Sequence, residues 1–360
     1  MTLWKNIKTL CGCMSICFLM QFAALSVSSC AIVSGPEEDL HQTELSMSAM
    51  MSPVTKSNLD FPEGGIFGVY AYASSEPGDT EWKPALATSE LYLDNVKFIC
   101  GRDSGGMPVA HGYESPYYWP GSGSLLLYGY SPHVDLSSCV QSVAHYPNVQ
   151  SSTDANAYFA IDFRQSLSPK NMEELLWFDA KDVEGGLSLT KGGPVEVLFR
   201  RAHAKVTFNL SYTYYKKVSI RLTECIYRGI FYTGATPGWM PDSSKDAEGR
   251  YAYLTSYDMF DVERGDSEEN FEQSVSMFMM PQYTDGYFEE VGLQLGGDML
   301  LEITMVDGNM GTVTTVTKHL KDYTDRWEMG YHYTYNITVS PKPIEFGKPE
   351  ITITTEPVTI

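Results

Sequence analysis

The stretch KVTFNL at residues 205–210 alternates polar and apolar side chains, and YTYNITV at residues 333–339 alternates in the same way. A period of two is typical of a β-strand with one face in a core and the other in water. Helix-like periodicity is confined to short pieces around 171–176 and 267–271, too short for βαβ units. The sequence therefore predicts an antiparallel, all-β protein. Its predicted strands are Gly65–Ala73, Leu125–Tyr130, Ala157–Phe163, Val195–Leu198, Ala204–Tyr212, Val218–Leu222, Met299–Val306, Thr312–Thr317, Tyr331–Val339 and Glu350–Thr355.

Acidic residues outnumber basic ones, since 45 Asp and Glu against 25 Lys and Arg give a net charge of −20. Such a chain repels nucleic acid phosphates and anionic membrane surfaces, so nucleic acid is not expected as a partner. Aromatic residues make up 13% and charged residues 19% of the chain, which favours a β-rich exported protein over a disordered one. A chain of 360 residues is longer than one core usually serves, which predicts two domains.

The first 29 residues have the composition of a secretory signal peptide. Lys5 and Lys8 supply a basic start, an apolar run follows from Ile16 to Leu25, and small residues lead into Cys30. The apolar run is shorter than the roughly 20 residues of a membrane-spanning helix. The sequence Val-Ser-Ser-Cys ending at Cys30 resembles a bacterial lipobox, which predicts cleavage after residue 29 and lipidation of Cys30. The alternative is an ordinary signal peptide followed by an incidental cysteine.

Composition also divides the rest of the chain. Residues 30–60 are rich in Ser, Met, Pro and Thr and show little periodicity, so they are predicted to form a lipidated tether. Glycine and proline at 192–194 mark the expected break between two domains beyond the tether. We therefore predict an N-terminal domain over 61–192 and a C-terminal domain over 193–360.

No set of residues in the sequence predicts catalysis, a metal site or a cofactor. The seven histidines are dispersed without a His-Glu-x-x-His pattern, and His203 enters an apolar strand, as a structural histidine does. Asp103-Ser104-Gly105-Gly106 resembles part of a serine protease motif, but the only histidine upstream, His41, belongs to the tether. After Cys30 an odd number of thiols remains, at Cys100, Cys139 and Cys225, and this predicts no disulfide framework.

Several segments, in order along residues 60–350, resemble the fimbrillin family of the Bacteroidales, which are lipoprotein precursors of pilus subunits. The two most specific are Phe278–Gln282 and Trp327–Tyr335. The others are Phe67–Tyr72, Tyr117–Pro120, Leu125–Pro132, Glu174–Ala180, Val197–Val206 and Ile344–Phe346.

This resemblance implies two tandem transthyretin-like β-sandwich domains and a structural rather than enzymatic role. It implies that the lipid on Cys30 carries the precursor to the outer membrane and the cell surface. A protease then removes an N-terminal strand within 30–60, and the groove left behind accepts a strand from a neighbouring subunit. The implied partners are other fimbrial subunits, reached by head-to-tail strand exchange, and a host or bacterial surface receptor.

Two positions of this chain bear on that mechanism. Stalk subunits of the family are often cut after an arginine, but no arginine lies between Cys30 and Arg102, so Lys56 is the candidate cleavage site. Ile351 and Ile353 lie in an alternating segment near the free end at 350–360, which makes it a candidate donor strand. The alternative is an ordinary last strand of the C-terminal domain.

A second function stays open from the sequence, that of a lipid-anchored surface protein that binds a glycan or host protein without polymerising. Tyr113, Tyr117, Tyr118 and Trp119 form an aromatic cluster in the sequence. Aromatic rings of this kind stack on sugars, or they pack a core.

Overall fold

A computed structural model describes the protein over residues 43–51, 59–74, 90–119, 124–133, 143–146, 158–179, 194–232, 237–241, 254–265, 271–288, 293–294, 297–341 and 344–353. Within these ranges the chain is built from β-strands, joined by two short 3₁₀ helices at Pro169–Asn171 and Leu320–Asp322. The prediction of an all-β fold is confirmed. None of the helices in these ranges is long and apolar enough to cross a membrane.

Strands in the first half of the chain are between two and 13 residues long. They are β1 (Met47–Met51), β2 (Leu59–Asp60), β3 (Ile66–Ser74), β4 (Glu90–Arg102), β5 (Pro108–Gly112), β6 (Ser124–Ser131), β7 (Val143–Tyr146), β8 (Tyr158–Arg164), β9 (Leu176–Phe178) and β10 (Val195–Arg201).

Strands in the second half include both stretches whose alternation predicted the fold. They are β11 (Ala204–Tyr212), β12 (Tyr215–Ile226), β13 (Arg228–Tyr232), β14 (Gly238–Pro241), β15 (Leu254–Glu263), β16 (Phe271–Met279), β17 (Gln282–Tyr283), β18 (Tyr287–Phe288), β19 (Leu293–Gln294), β20 (Leu300–Asp307), β21 (Val313–His319), β22 (Arg326–Trp327), β23 (Tyr331–Val339), β24 (Glu345–Phe346) and β25 (Glu350–Ile353).

Seven strands of the first half close into a ring, in the order β1-β10-β9-β6-β3-β4-β5 and back to β1, with β2 added beside β1. All pairs are antiparallel except β1 with β10, which run parallel. Gly129 on β6 permits one tight contact in this ring, because a Cβ there would lie 2.1 Å from the Phe178 ring. The ring encloses one apolar core, which includes four phenylalanines in edge or tilted contact, Phe61, Phe67, Phe178 and Phe199.

Two sheets of the second half pack face to face around a second core. One has the order β16-β11-β23-β24, with β25 also on β23, and the other has the order β15-β12-β20-β21. The KVTFNL stretch behaves as its period predicts, because Val206, Phe208 and Leu210 are buried. The Phe208 ring stacks on the Tyr335 ring at a centroid distance of 5.0 Å. Unlike the other pairings in these two sheets, β11 and β23 run parallel.

Strand pairing crosses the boundary that the sequence predicts at residue 193. β10 follows that boundary but pairs with β1 and β9 in the ring of the first half. A third sheet, in the order β14-β13-β8-β7, joins strands from both sides of residue 193. The physical reason is that the Gly-Gly-Pro segment leads into the strand that lies beside β1, not into the next sandwich. The division into domains over 61–192 and 193–360 stays a prediction.

Candidate functional site

β1 is the strand that closes the ring, and its side chains alternate between core and surface. Met47, Ala49 and Met51 are buried, as is Leu45 just before the strand, while Ser48 and Met50 are partly exposed. Burying a Leu or Met side chain stabilises a protein by about 1.5–3 kcal/mol. Segment 43–51 is therefore an integral part of the core, although the sequence pattern predicted a tether there.

Both edges of this segment are hydrogen-bonded. On one edge β1 runs beside β10 in continuous register, from Met47 opposite Val195 to Met51 opposite Phe199. On the other edge it meets β5 and β2, and the Phe61 N–H donates to the Ala49 carbonyl at 3.1 Å. Loss of β1 would leave unpaired amides on β10 and on β5, on the two sides of an apolar groove.

The residues before β1 hold the segment to a second part of the ring. The Leu45 N–H donates to the Tyr117 carbonyl at 2.7 Å, and the Trp119 N–H donates to the Thr43 carbonyl at 2.9 Å. Glu44 Oε1 lies 2.8 Å from Nδ1 of His111. Both side chains are about half exposed, so this contact contributes little to the stability of the fold. The wall of the groove that segment 43–51 occupies therefore includes the backbone of Tyr117 and Trp119 as well as β5.

Cys30 and Lys56 both lie outside the described residues. Lys56 belongs to 52–58, the link between β1 and β2, so a cut there would separate β1 from the rest of the chain. Lipidation of Cys30 and cleavage at Lys56 remain predictions.

The candidate donor strand is β25, and it pairs antiparallel with the first half of β23. Ile351 lies opposite Tyr333 and Ile353 opposite Tyr331. The Ile351 side chain is 52% exposed, in contrast to the buried residues of β23, because β25 pairs only with β23 in the described chain. β25 is thus the last strand of its own sheet here, at its edge, and its transfer to another subunit stays a prediction.

The aromatic cluster of the sequence divides between core and surface. Trp119 is buried in the ring, and Tyr117 packs against the same core with its ring stacked on Phe98 at 6.2 Å. Tyr118 is exposed, and so is Tyr113, whose ring carries the Lys97 ammonium 3.6 Å from its centroid. Beside them lies an open cleft of about 470 Å³, lined by Asp94, Asn95, Val96, Lys97, Glu114, Tyr117 and His133.

His203 is a structural residue at the turn between β10 and β11. It is 1% exposed, its Nδ1 accepts a hydrogen bond from the Leu175 N–H at 2.9 Å, and its ring contacts Phe163 and Trp239. Burial lowers the His203 pKa to about 3, because the charged imidazolium loses its solvation.

This shift predicts that stability falls as the solution is acidified. The unfolded chain takes up a proton on His203 near the ordinary pKa of 6.5, whereas the folded chain does so only near 3. The stability that the folded chain gains by keeping His203 neutral is therefore complete above about pH 6.5 and is lost as the pH falls towards 3. Between about pH 7 and pH 5, urea unfolding should show the wild type losing roughly 2 kcal/mol more than His203→Asn. Equal losses in the two proteins would contradict this assignment.

The described residues hold no group of three or more His, Cys, Asp and Glu side chains arranged to bind a metal ion. Cys100 and Cys225 are free and buried, and burial raises the pKa of the Cys100 thiol to about 11. Protonated, enclosed thiols of this kind are poor nucleophiles. The feature that distinguishes the described chain is therefore the segment that closes its ring.

The described chain is thus an all-β protein in which a ring of strands, closed by β1, is joined in sequence to a β-sandwich. The chain belongs to the Fimbrillin-like family, whose model matches residues 54–355. No curated protein sequence matches it.

Solved structures resemble the fold. One is a candidate cell adhesion protein from Bacteroides uniformis, with 12% identity, a TM-score of 0.50 and coverage of 87% of this chain and 98% of that chain. A candidate cell adhesion protein from Bacteroides ovatus has 16% identity, a TM-score of 0.48 and coverage of 88% and 99%. A fimbrial protein from Bacteroides vulgatus has 13% identity, a TM-score of 0.43 and coverage of 80% and 92%. At such identities the first likeness shows the fold alone.

Family membership supports the role of a fimbrial subunit at the cell surface, in association with other such subunits. The resemblance carried by the ordered sequence segments is thereby confirmed.

Proposed function

We propose that this protein is a structural, non-enzymatic subunit of a cell-surface fimbria, assembled by strand exchange and supporting adhesion. It is exported as a lipoprotein on Cys30, reaches the outer membrane and is cut after Lys56. The cut releases β1, and a strand from a neighbouring subunit takes its place. The observation that carries this proposal is β1 itself, which is buried, closes the ring and precedes the 52–58 link that holds Lys56.

The physical basis is the chemistry of the emptied groove. Without β1, apolar side chains of the ring and the amides of β10 face water, and an extended strand satisfies both at once. The interface is head-to-tail, because donor and groove are different surfaces, so it propagates into a filament. β25 is the candidate donor, since it lies at an edge, is short and has a half-exposed Ile351.

The alternative is a lipid-anchored surface protein that binds a glycan or host protein and does not polymerise. The cleft beside Tyr117 supports it, because carboxylates, an amide and an aromatic ring converge there as they do in carbohydrate sites. A chain that is not cut after Lys56 would keep β1 in place, which would favour this function.

Limited trypsin digestion tests the proposal on residues 42–360, which form one compact unit. Cutting at Lys56 should convert a soluble chain into ladders on native gels and filaments in the electron microscope, because the emptied groove accepts a neighbour's strand. The Lys56→Gln variant is the matched control and should form neither. Clean cleavage at Lys56 without any higher assembly would contradict the polymerising role and leave the binding role.

A further inference from the structure

The open cleft beside Tyr117 has polar groups of both charges on its walls. Asp94 and Glu114 contribute carboxylates, and Lys97 contributes an ammonium group. The volume of the cleft, about 470 Å³, lies within the roughly 300–1,000 Å³ that is usual for small-molecule sites in proteins. The cleft is therefore large enough to hold a small ligand.

The charged groups of this cleft are not paired with one another. Asp94 and Glu114 are exposed, and neither carboxylate makes a hydrogen bond or an ion pair with any residue that the structure describes. The Lys97 ammonium lies 3.6 Å from the centroid of the Tyr113 ring. This cation–π contact fixes the position of the ammonium but supplies no acceptor atom for its three hydrogen-bond donors. Acceptors and donors of the cleft thus remain available to a ligand.

One wall of the cleft is a backbone segment in an unusual conformation. Asn95 has a φ of 49°, in the left-handed region that residues other than glycine rarely adopt. The Tyr130 hydroxyl donates to Asn95 Oδ1 at 2.7 Å, and the His133 Nε2–H donates to the Asn95 carbonyl at 3.2 Å. Gly68 allows this arrangement, because a Cβ there would lie 2.6 Å from the Tyr130 ring. The wall is therefore held in place before a ligand arrives, and backbone conformations of this kind are concentrated at binding sites.

Tyr117 supplies the aromatic surface of the cleft. Its ring stacks on Phe98 at a centroid distance of 6.2 Å and packs against the core of the ring of strands. Gly112 permits this placement, because a Cβ there would lie 2.7 Å from the Tyr117 ring. A tyrosine ring fixed in this way offers apolar contact area at a low cost in conformational entropy.

The signs of the charges indicate which kind of ligand fits. A phosphate or carboxylate would be repelled by Asp94 and Glu114 and by the net charge of the chain, −20. A cation would be repelled by the Lys97 ammonium. A neutral ligand with several hydroxyl groups avoids both penalties, because a hydroxyl donates to a carboxylate and accepts from an ammonium. These groups, together with an aromatic ring, are complementary to a neutral sugar.

We propose that the cleft beside Tyr117 binds a neutral hexose unit of a glycan, with the C–H face of the sugar against the Tyr117 ring. Asp94 and Glu114 accept hydrogen bonds from its hydroxyl groups, and Lys97 donates to a hydroxyl oxygen. The inference gives the adhesive part of the proposed function a site and a ligand class, and it rests on that function for its biological use. One shallow site binds weakly, but identical sites repeated along a fimbria raise the avidity by about 10²–10⁴.

Saturation-transfer NMR titrations of uncut residues 42–360 test the proposal. The probes are the neutral disaccharides lactose, maltose and mannobiose, and the acidic trisaccharide 3′-sialyllactose. The chain should bind at least one neutral probe in a saturable way and should bind 3′-sialyllactose no more tightly than lactose. A chain that binds none of the neutral probes, or that prefers the acidic one, would overturn the proposal.

Paired variants locate the sugar in the cleft. Replacing both Asp94 and Glu114 by alanine should weaken binding at least about tenfold, because each carboxylate removed takes a charge-assisted hydrogen bond with it. Asp258→Ala combined with Glu272→Ala is the matched control, since it makes the same change of charge at two exposed carboxylates outside the cleft. Equal binding by the two double variants would overturn the site, and circular dichroism would verify that both remain folded.

Lys97→Met distinguishes a sugar site from a cation site. Methionine keeps an apolar stem over Tyr113 but has no hydrogen-bond donor, so sugar binding should fall several-fold. Calcium chloride is the second probe. Saturable calcium binding that tightens in Lys97→Met would assign the cleft to cations and overturn the proposal.

These measurements are independent of strand exchange, because they use the uncut chain with β1 in place. A failure to bind sugar would leave the assembly mechanism unaffected. A failure to assemble after cleavage at Lys56 would leave the sugar site unaffected.

Discussion

A chain that begins at residue 57 should melt more than about 10 °C below residues 42–360, and a synthetic peptide of residues 43–51 should restore its stability. The truncation removes Leu45, Met47 and Met51 from the core, each contributing about 1.5–3 kcal/mol. Their sum, roughly 5–9 kcal/mol, is comparable with the whole stability of a typical domain. It also removes the ladder between β1 and β10.

Thermal melting followed by circular dichroism, with and without peptide, measures both effects. A peptide carrying Met47→Asp and Ala49→Asp is the control, because it would bury two carboxylates in the groove and should not bind. If the truncated chain melts at the same temperature as the longer one, β1 is not part of the core and the groove does not exist.

Glu174→Ala should destabilise the protein by about 3–5 kcal/mol, since it removes the carboxylate that pairs with the buried guanidinium of Arg201. The two side chains form an ion pair with exposed fractions of 3% for Glu174 and 8% for Arg201. The pair lies where β10 leads into β11, and there Trp239 Nε1 also donates to the Ala202 carbonyl at 2.6 Å.

Urea unfolding of three variants separates this effect from a general loss of charge. Glu263→Ala breaks the pair with Lys216, which is more than half exposed, and should change stability by less than about 1 kcal/mol. Replacing both Glu174 and Arg201 by leucine should recover most of the loss, because both buried charges are removed together. Equal effects of Glu174→Ala and Glu263→Ala would contradict the buried-pair interpretation.

The sequence was sufficient to predict strands in which the residues alternate clearly between apolar and polar. β11 and β23 follow from their period of two, because that pattern matches the pleat of a half-buried sheet. Their parallel pairing could not be predicted, since it depends on how distant segments meet. β4 was missed because its charged residues and the left-handed Asn95, with φ of 49°, interrupt the alternation.

In the candidate site, single positions could be predicted from the sequence, but the strand that forms the site could not. Cys30 was predicted from a local motif and Lys56 from the family resemblance, and neither prediction requires knowledge of the fold. β1 was placed in the tether because MSAMM at 47–51 lacks the β-branched and aromatic residues typical of strands. Its burial depends on β10, which lies far later in the chain.

The most direct test of the strand-exchange account is mass spectrometry of the protein recovered from the surface of the cells that make it. The account predicts a chain that begins at Ser57, carries no lipid and is found in filaments. A chain that still begins at a lipidated Cys30 within those filaments would contradict the removal of β1 and the assembly mechanism that depends on it.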